Sequence, residues 1–329
     1  MKPFKAYVVN KHDDSFTRSI QTVSLEDLSP GNVIIKTAYS SINYKDTLAV
    51  NPKGGVIRNY PMIPGIDASG IVVESTSDMF NPGDPVFVIG YEFGVSHTGA
   101  FSEYIRIPST WVKHIPAPLS LKDIMKYGTA GLTAGLSVQA LLDHGITPDH
   151  SNPILVTGAT GGVGSIALSI LSKLGFNVHA LTRKKDTEAS RLLSLGASQV
   201  YTLEEITHNN TKPLAKQTYH GIVDTVGGDI ASALIPFLHY KGVMTLCGQV
   251  GGVQLNTTVF PLILRGITLA GIDAVYCDDT MRDLIWHKLA HEWRVVDTLI
   301  SQEESFEDID TPISKLVEGT HTGRTIVHF

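Results

Sequence analysis

Two patterns of apolar and polar positions divide the chain. Up to about residue 123 the apolar residues come in short alternating or continuous runs: "KAYVV" (5–9), "NVIIKTAYS" (32–40), "GIVVES" (70–75), "PVFVIG" (85–90) and "EYIRIP" (103–108). The breaks between them, "SPG", "NPKGG" and "NPGD", are turn chemistry, so this part predicts antiparallel strands. From about 124 to 273 helical periodicity alternates with brief apolar strands, "PILVTG", "NVHALT", "QVYTL", "GIVDTVG", "GVMTLCG" and "ITLAGID". That alternation predicts a parallel, doubly wound sheet. The tail holds a helical "MRDLIWHKLAHEW" (281–293) and a strand-like "GRTIVHF" (323–329) that resembles the first part. The expected organisation is an α/β chain: a β-rich domain from residues 1–123 and 274–329, and an inserted nucleotide-type domain over 124–273.

Composition narrows the function class. With 329 residues, 43% of them hydrophobic and 18% charged, the chain reads as two ordinary globular domains. No run of about 18 apolar residues and no leader pattern occurs, so a cytoplasmic protein without a membrane partner is expected. A net charge of −6 without basic runs offers no footprint for nucleic acid and leaves a small molecule as the default partner. The two cysteines, Cys247 and Cys277, lack a CxxC context and predict no disulfide or multi-cysteine metal module. Cys247 reads as a small buried filler. His287 and His291 have i,i+4 spacing, but "HKLAHE" is not the HExxH order and supplies no third ligand, so a solvated helix face is expected.

The motif with the most specific context is "ILVTGATGGVGSIALSILSKLGFNV" (154–178), a strand, a glycine-rich turn and an amphipathic helix. Against the GxGxxG template it reads Ala159-x-Gly161-x-x-Gly164. Gly161 leaves room for a pyrophosphate, Gly164 lets the helix pack closely, and the turn of Thr160, Gly161, Gly162 and Val163 brings backbone amides toward phosphate. About 20 residues on, where an acid would hold the ribose of NAD, the chain has "ALTRKKD". Thr182, Arg183 and Lys184 offer a hydroxyl and two cations there, which favours a 2'-phosphate and hence NADPH. Thr225 in "DTVGG" and Leu269 in "ITLAGID" lie at carboxyl ends of later strands and complete the expected cofactor set.

Taken together, these features resemble the medium-chain dehydrogenase/reductase superfamily, with its GroES-like domain and inserted Rossmann domain. "NYKD" (43–46), "IRNYPMIPGID" (57–67), "GTAGLTA" (128–134), "TGATGGVGS" (157–165), "DTVGG" (224–228), "TTVFPLILRG" (257–266) and "GRTIV" (323–327) are similar to its bacterial zinc-independent branch of quinone oxidoreductases and acryloyl-CoA reductases. Where zinc-dependent members carry Cys and a His-Glu pair, this chain has Asn43 or its neighbours and Ile66-Asp67, so no zinc is expected. The "LTRKKD" turn departs from the branch's usual Ser/Thr-Gly followed by a basic residue. The resemblance implies a metal-free hydride transfer from NADPH to an activated double bond, first a short enoyl-CoA such as acryloyl-CoA, alternatively a quinone. A zinc alcohol dehydrogenase and a non-catalytic NADPH-binding protein are the remaining readings.

The resemblance also places Tyr44 where the superfamily keeps cleft residues. Its phenol is expected to donate to a substrate oxygen or to the nicotinamide ribose, so Tyr44 is both a catalytic and a cofactor candidate. Asn43 and Asp46 have capping-box spacing. Asp67 is expected either in the site beside Tyr44 or as a carboxylate held by backbone amides, with Arg58 orienting it or meeting acyl-CoA phosphates. Arg324 matches the final strand of the branch but receives no contact from sequence. A homodimer through the sixth strand of the parallel sheet is implied as well.

Overall fold

The computed structural model describes residues 1–12, 15–149, 151–208 and 210–329. Two compact units result, Met1–Thr129 with Ile300–Phe329, and Ala130–Leu299. In chain order the first unit opens with β1 (Phe4–His12), β2 (Ser15–Val23), β3 (Val33–Ser41), helix α1 (Tyr44–Ala49), β4 (Asp67–Ser75), β5 (Pro85–Ile89), β6 (Tyr104–Ile107) and β7 (Val112–His114). Helix α2 (Leu121–Asp143) follows and is broken at Gly128, whose φ of 54° is left-handed. The chain then builds β8 (Ile154–Val156), α3 (Gly162–Lys173), β9 (Val178–Leu181), α4 (Lys185–Ser194), β10 (Gln199–Tyr201), α5 (Leu203–Thr207), β11 (Tyr219–Asp224), α6 (Gly228–Leu234), β12 (Leu238–Leu246), α7 (Val259–Arg265), β13 (Thr268–Gly271) and α8 (Asp279–Ala290). It returns to the first unit for β14 (Ser301–Ser305), α9 (Asp310–Val317) and β15 (Arg324–His328).

In the first unit β1 and β2 form an antiparallel ribbon, and a seven-stranded sheet runs β14-β15-β3-β4-β5-β7 with β6 also paired to β3. The alternation read from sequence sends Val33, Ile35, Val72, Val86, Val88, Ile105 and Ile107 into one core. Burial of each such side chain contributes about 1.5–3 kcal/mol. A second core forms where Tyr7, Val9, Ile42 and Phe101 meet Ile309 and Ile313 from beyond residue 300.

The second unit is a parallel sheet in the order β10-β9-β8-β11-β12-β13. Ile154, Leu155 and Val156 are all buried, as strands covered on both faces must be. Strand order reverses between β8 and β11, the switch point at which open sheets of this kind bind ligands.

Two expectations are corrected. Segment 274–299 belongs to the second unit, because Ile285 of α8 packs against Gly135 of α2, where an added Cβ would lie 2.4 Å from Ile285. The boundary near 123 moves to Thr129. Strand β2 has no sequence signal as strong as its neighbours, since it alternates exposed and half-buried positions on a two-stranded ribbon. Among the described residues no helix is long and apolar enough to cross a membrane.

Candidate functional site

Each unit contributes one cluster. In the second, β8 delivers the chain into the turn 157–161 and α3 begins at Gly162. Gly164 is needed for packing: a Cβ there would lie 2.4 Å from the Gly158 carbonyl oxygen, so any larger residue would push helix and turn apart. Gly161 has more room, its nearest neighbour the Gly158 oxygen at 3.2 Å. Thr160 is buried, whereas Gly161, Gly162 and Val163 are half-exposed. The first-turn amides of α3 have no intrahelical acceptor, so they form a ready phosphate cradle.

A buried polar lattice that sequence reasoning missed holds this turn. Thr157 Oγ1 donates to Asp224 Oδ1 at 2.7 Å and accepts from the Thr225 amide at 2.9 Å. Thr225 Oγ1 in turn donates to the Thr157 carbonyl at 2.8 Å, and the Gly227 amide donates to Asp224 Oδ2 at 2.7 Å. Burial pushes the Asp224 carboxyl up, opposed by the Thr157 hydroxyl and the amides of Gly227 and Val226. Thr225 therefore braces the turn, with its hydroxyl committed to Thr157. "TG" and "DT" at the ends of two strands were the available signal, but their pairing depends on β8 and β11 being neighbours.

At the end of β9, Thr182 is buried and its Oγ1 accepts from the Lys184 amide at 3.0 Å, shaping the loop into α4. Arg183 is exposed and makes no ion pair among the described residues, and Lys184 is half-buried. Burial lowers the Lys184 pKa, with Arg183 beside it adding to the effect. The acids nearby are engaged elsewhere, Glu188 with Arg191 at 2.8 Å and Glu205 with Lys185 at 2.5 Å. Two neighbouring cations and a shaped loop fit a 2'-phosphate, and the glycine cradle fits a pyrophosphate. Leu269 is half-buried on β13, paired with Met244 of β12.

In the first unit Tyr44 is the first residue of α1, 40% exposed, and its hydroxyl has no hydrogen bond among the described residues. Beneath it lies a charged cluster. Asp67 is fully buried, and its Oδ2 accepts from Ser41 Oγ at 2.6 Å, Asn43 Nδ2 at 2.8 Å and the Thr129 amide at 2.9 Å. Thr129 Oγ1 donates to Oδ1. Arg324, also buried, stands 3.8 Å from that carboxylate. Its NH2 donates to Ser41 Oγ at 2.8 Å, its NH1 to Asn43 Oδ1 at 3.1 Å and its Nε to the Lys126 carbonyl at 3.0 Å. Gly128 sits against this cluster with no space for a side chain, since a Cβ would lie 2.4 Å from Asp67 Oδ2 and 2.6 Å from Arg324 NH2.

The sequence expectations for Asp67 and Arg58 change accordingly. Asp67 is saturated by donors and buried, so it braces the site rather than presenting an oxygen. The arginine that meets it is Arg324, while Arg58 is exposed and makes no ion pair among the described residues. Asp46 returns the capping-box contact, its Oδ2 accepting from the Asn43 amide at 2.7 Å, but its Oδ1 is buried without a hydrogen-bond partner among the described residues.

Burial pushes the Asp46 carboxyl up to about 8, opposed by the Asn43 amide and reinforced by the charge of Asp67. An unfolded aspartate titrates near ~3.9, so between the two values the folded state holds the extra proton. The stability this proton provides is complete at low pH and is lost as pH rises toward 8, with a slope of up to about 1.4 kcal/mol per pH unit. Asp46→Asn is expected to flatten the fall of the melting temperature between pH 5 and pH 8. A parent protein whose melting temperature does not fall over that range would sink the argument.

Among the described residues no three His, Cys, Asp or Glu side chains converge as a metal set. His287 and His291 stack edge to face with centroids 4.5 Å apart.

Comparison with known proteins finds relatives of both units. The alcohol dehydrogenase GroES-like domain family matches residues 29–117, and the zinc-binding dehydrogenase family matches residues 162–290. YhfP of Bacillus subtilis, named as a candidate quinone oxidoreductase, is 42% identical over 98% of both chains; its crystal structure with NAD bound superposes with a TM-score of 0.95 at full coverage of both. The acrylyl-CoA reductase AcuI of Ruegeria pomeroyi is 38% identical, again over 98% of both chains. The yhdH oxidoreductase of Salmonella enterica, crystallised in complex with NADP, is 35% identical with a TM-score of 0.94 over 99% of each chain.

Proposed function

The chain belongs to the medium-chain dehydrogenase/reductase superfamily, in its zinc-independent quinone oxidoreductase and acrylyl-CoA reductase branch, and on that premise we propose that it is an NADPH-dependent reductase of activated double bonds. A short enoyl thioester such as acryloyl-CoA is the first substrate in this reading and a quinone the second. The observation that carries it is Tyr44, an exposed phenol with an unengaged hydroxyl on a helix anchored to a buried ion pair.

Thr160, Gly161, Gly162 and Val163 would hold the pyrophosphate, and Thr182, Arg183 and Lys184 the 2'-phosphate. Thr225 acts by bracing the turn, and Leu269 supports the cofactor from β13. When bound, the dihydronicotinamide supplies a hydride. The chain's own contribution is electrostatic. As the β-carbon of the enoyl thioester is reduced, charge gathers on the thioester oxygen as an enolate, and the Tyr44 phenol donates a hydrogen bond to it. A donor of this kind is worth about 100-fold in rate. A proton from water then reaches the α-carbon and restores the thioester. The phenolic O–H is the donor in this step.

The test is anaerobic turnover with NADPH and NADH against acryloyl-CoA, crotonyl-CoA and 1,4-benzoquinone. Acryloyl-CoA saturating with NADPH, and a loss of about 100-fold in kcat for Tyr44→Phe, is the expected result. Turnover of the quinone alone would replace the thioester with the second substrate, and no oxidation of NADPH by any acceptor would remove the enzymatic reading.

A second copy of the chain is the partner we place on β13, an edge strand of the parallel sheet. Next to it in sequence, α7 exposes Val259, Phe260, Ile263 and Leu264, each at least half-exposed. Unpaired strand edges and apolar patches of this kind are covered in assembled proteins. Light scattering on the same preparation would show a monomer if this placement is wrong.

A further inference from the structure

Helix α1 is only six residues long, too short to hold its own orientation by helix propensity. Buried Asp46, Thr47 and Ala49 seat the helix, and the residue before Tyr44 fixes where it begins. Resting on the reading of Tyr44 as the substrate's donor, we propose that Asp67 and Arg324 form a positioning pair for Tyr44, acting through Asn43.

Asn43 bridges the two charges with opposite ends of one amide: Nδ2 donates to Asp67 Oδ2 at 2.8 Å while Oδ1 accepts from Arg324 NH1 at 3.1 Å. Turning the amide over would set donor against donor and acceptor against acceptor, so its orientation is unique. The backbone amide of Asn43 is held as well, by Asp46 at 2.7 Å. The residue that opens α1 is thus gripped at three atoms, one peptide bond from Tyr44. Ser41 makes a second bridge, accepting from Arg324 NH2 at 2.8 Å and donating to Asp67 at 2.6 Å.

Asp67 also holds the last residue of the first stretch of this unit, and the backbone of Arg324 meets the first residue of the second. Thr129, the last residue of the first crossing, gives both its amide and its hydroxyl to Asp67. Ile300, the first residue after the return, accepts from the Arg324 amide at 3.2 Å. Asp67 therefore ties the start of α1 to the backbone at Thr129. Such rigidity matters because misplacing a reacting group by about 1 Å costs about 100-fold in rate.

A double-mutant cycle of Asn43→Ala with Tyr44→Phe, read in kcat, in KM for acryloyl-CoA and in NADPH affinity by fluorescence titration, tests the proposal. Asn43→Ala is expected to lower kcat about tenfold in the parent and less than about twofold in the Tyr44→Phe background, with NADPH affinity unchanged in both. Equal losses in the two backgrounds would overturn the positioning role while leaving Tyr44 as donor. A fully active Tyr44→Phe would overturn the donor assignment and the inference with it. If Asn43→Ala does not fold, Ser41→Ala removes the other bridge and runs the same cycle.

Discussion

Arg324→Met is expected to lower the stability of the first unit by about 3–5 kcal/mol, seen as a fall of about 10 °C in its thermal transition. The guanidinium is buried, and its pKa is lowered by that burial and raised again by Asp67 and Asp46. Methionine has a similar volume and returns no charge. It would leave Asp67 buried with hydroxyl and amide donors but no cation, and strip a donor from Ser41 Oγ, Asn43 Oδ1 and the carbonyl of Lys126 at once. The cost is that of an uncompensated charge and not the intrinsic worth of the pair, so Asp67→Asn in the same chain should recover part of the loss. An unchanged transition in Arg324→Met would mean that water or rearrangement compensates Asp67, and the cluster would not be the brace described.

The second large effect is on the cofactor. Arg183→Glu combined with Lys184→Glu is expected to reduce kcat/KM with NADPH by about 1,000-fold while changing that with NADH by less than about tenfold. On the proposed reading, two charge-assisted hydrogen bonds, each worth about 1.5–3 kcal/mol, would be replaced by repulsion toward a dianion. The backbone of the loop is set by the Thr182 hydroxyl and is retained, which keeps the rest of the cradle unchanged. Equal losses with both cofactors would show that the two cations do not read the 2'-phosphate.

How much of this was legible beforehand depends on sequence separation. The βα turn and the role of Gly164 could be read from one unbroken stretch, because the strand, turn and helix that define them are adjacent in the chain. That the second sheet is parallel followed from the alternation of helix and strand. Asp67 was visible as a carboxylate in an apolar setting that needed a partner. Arg58 was the nearest arginine to hand, yet the one that answers lies on the last strand; Arg324 meets Asn43 across 281 positions. No local pattern encodes that contact, which exists only because β15 pairs with β3. Segment 274–299 was misplaced for a related reason. Periodicity declares that α8 has an apolar face but not which surface will cover it. The same holds for Thr157 and Asp224, which meet only once β8 and β11 are side by side.

The interleaving of the units sets an order of events on the ribosome. The parallel sheet comes from one continuous stretch and can close as soon as residue 299 has emerged. The other sheet waits for β15, so Asp67 is translated long before the guanidinium that stands beside it. At roughly 5–20 residues per second, that interval between residues 67 and 324 is on the order of 10–50 s. For that time the nascent first unit lacks both its strand β15 and the buried cation beside Asp67. It is begun first and finished last.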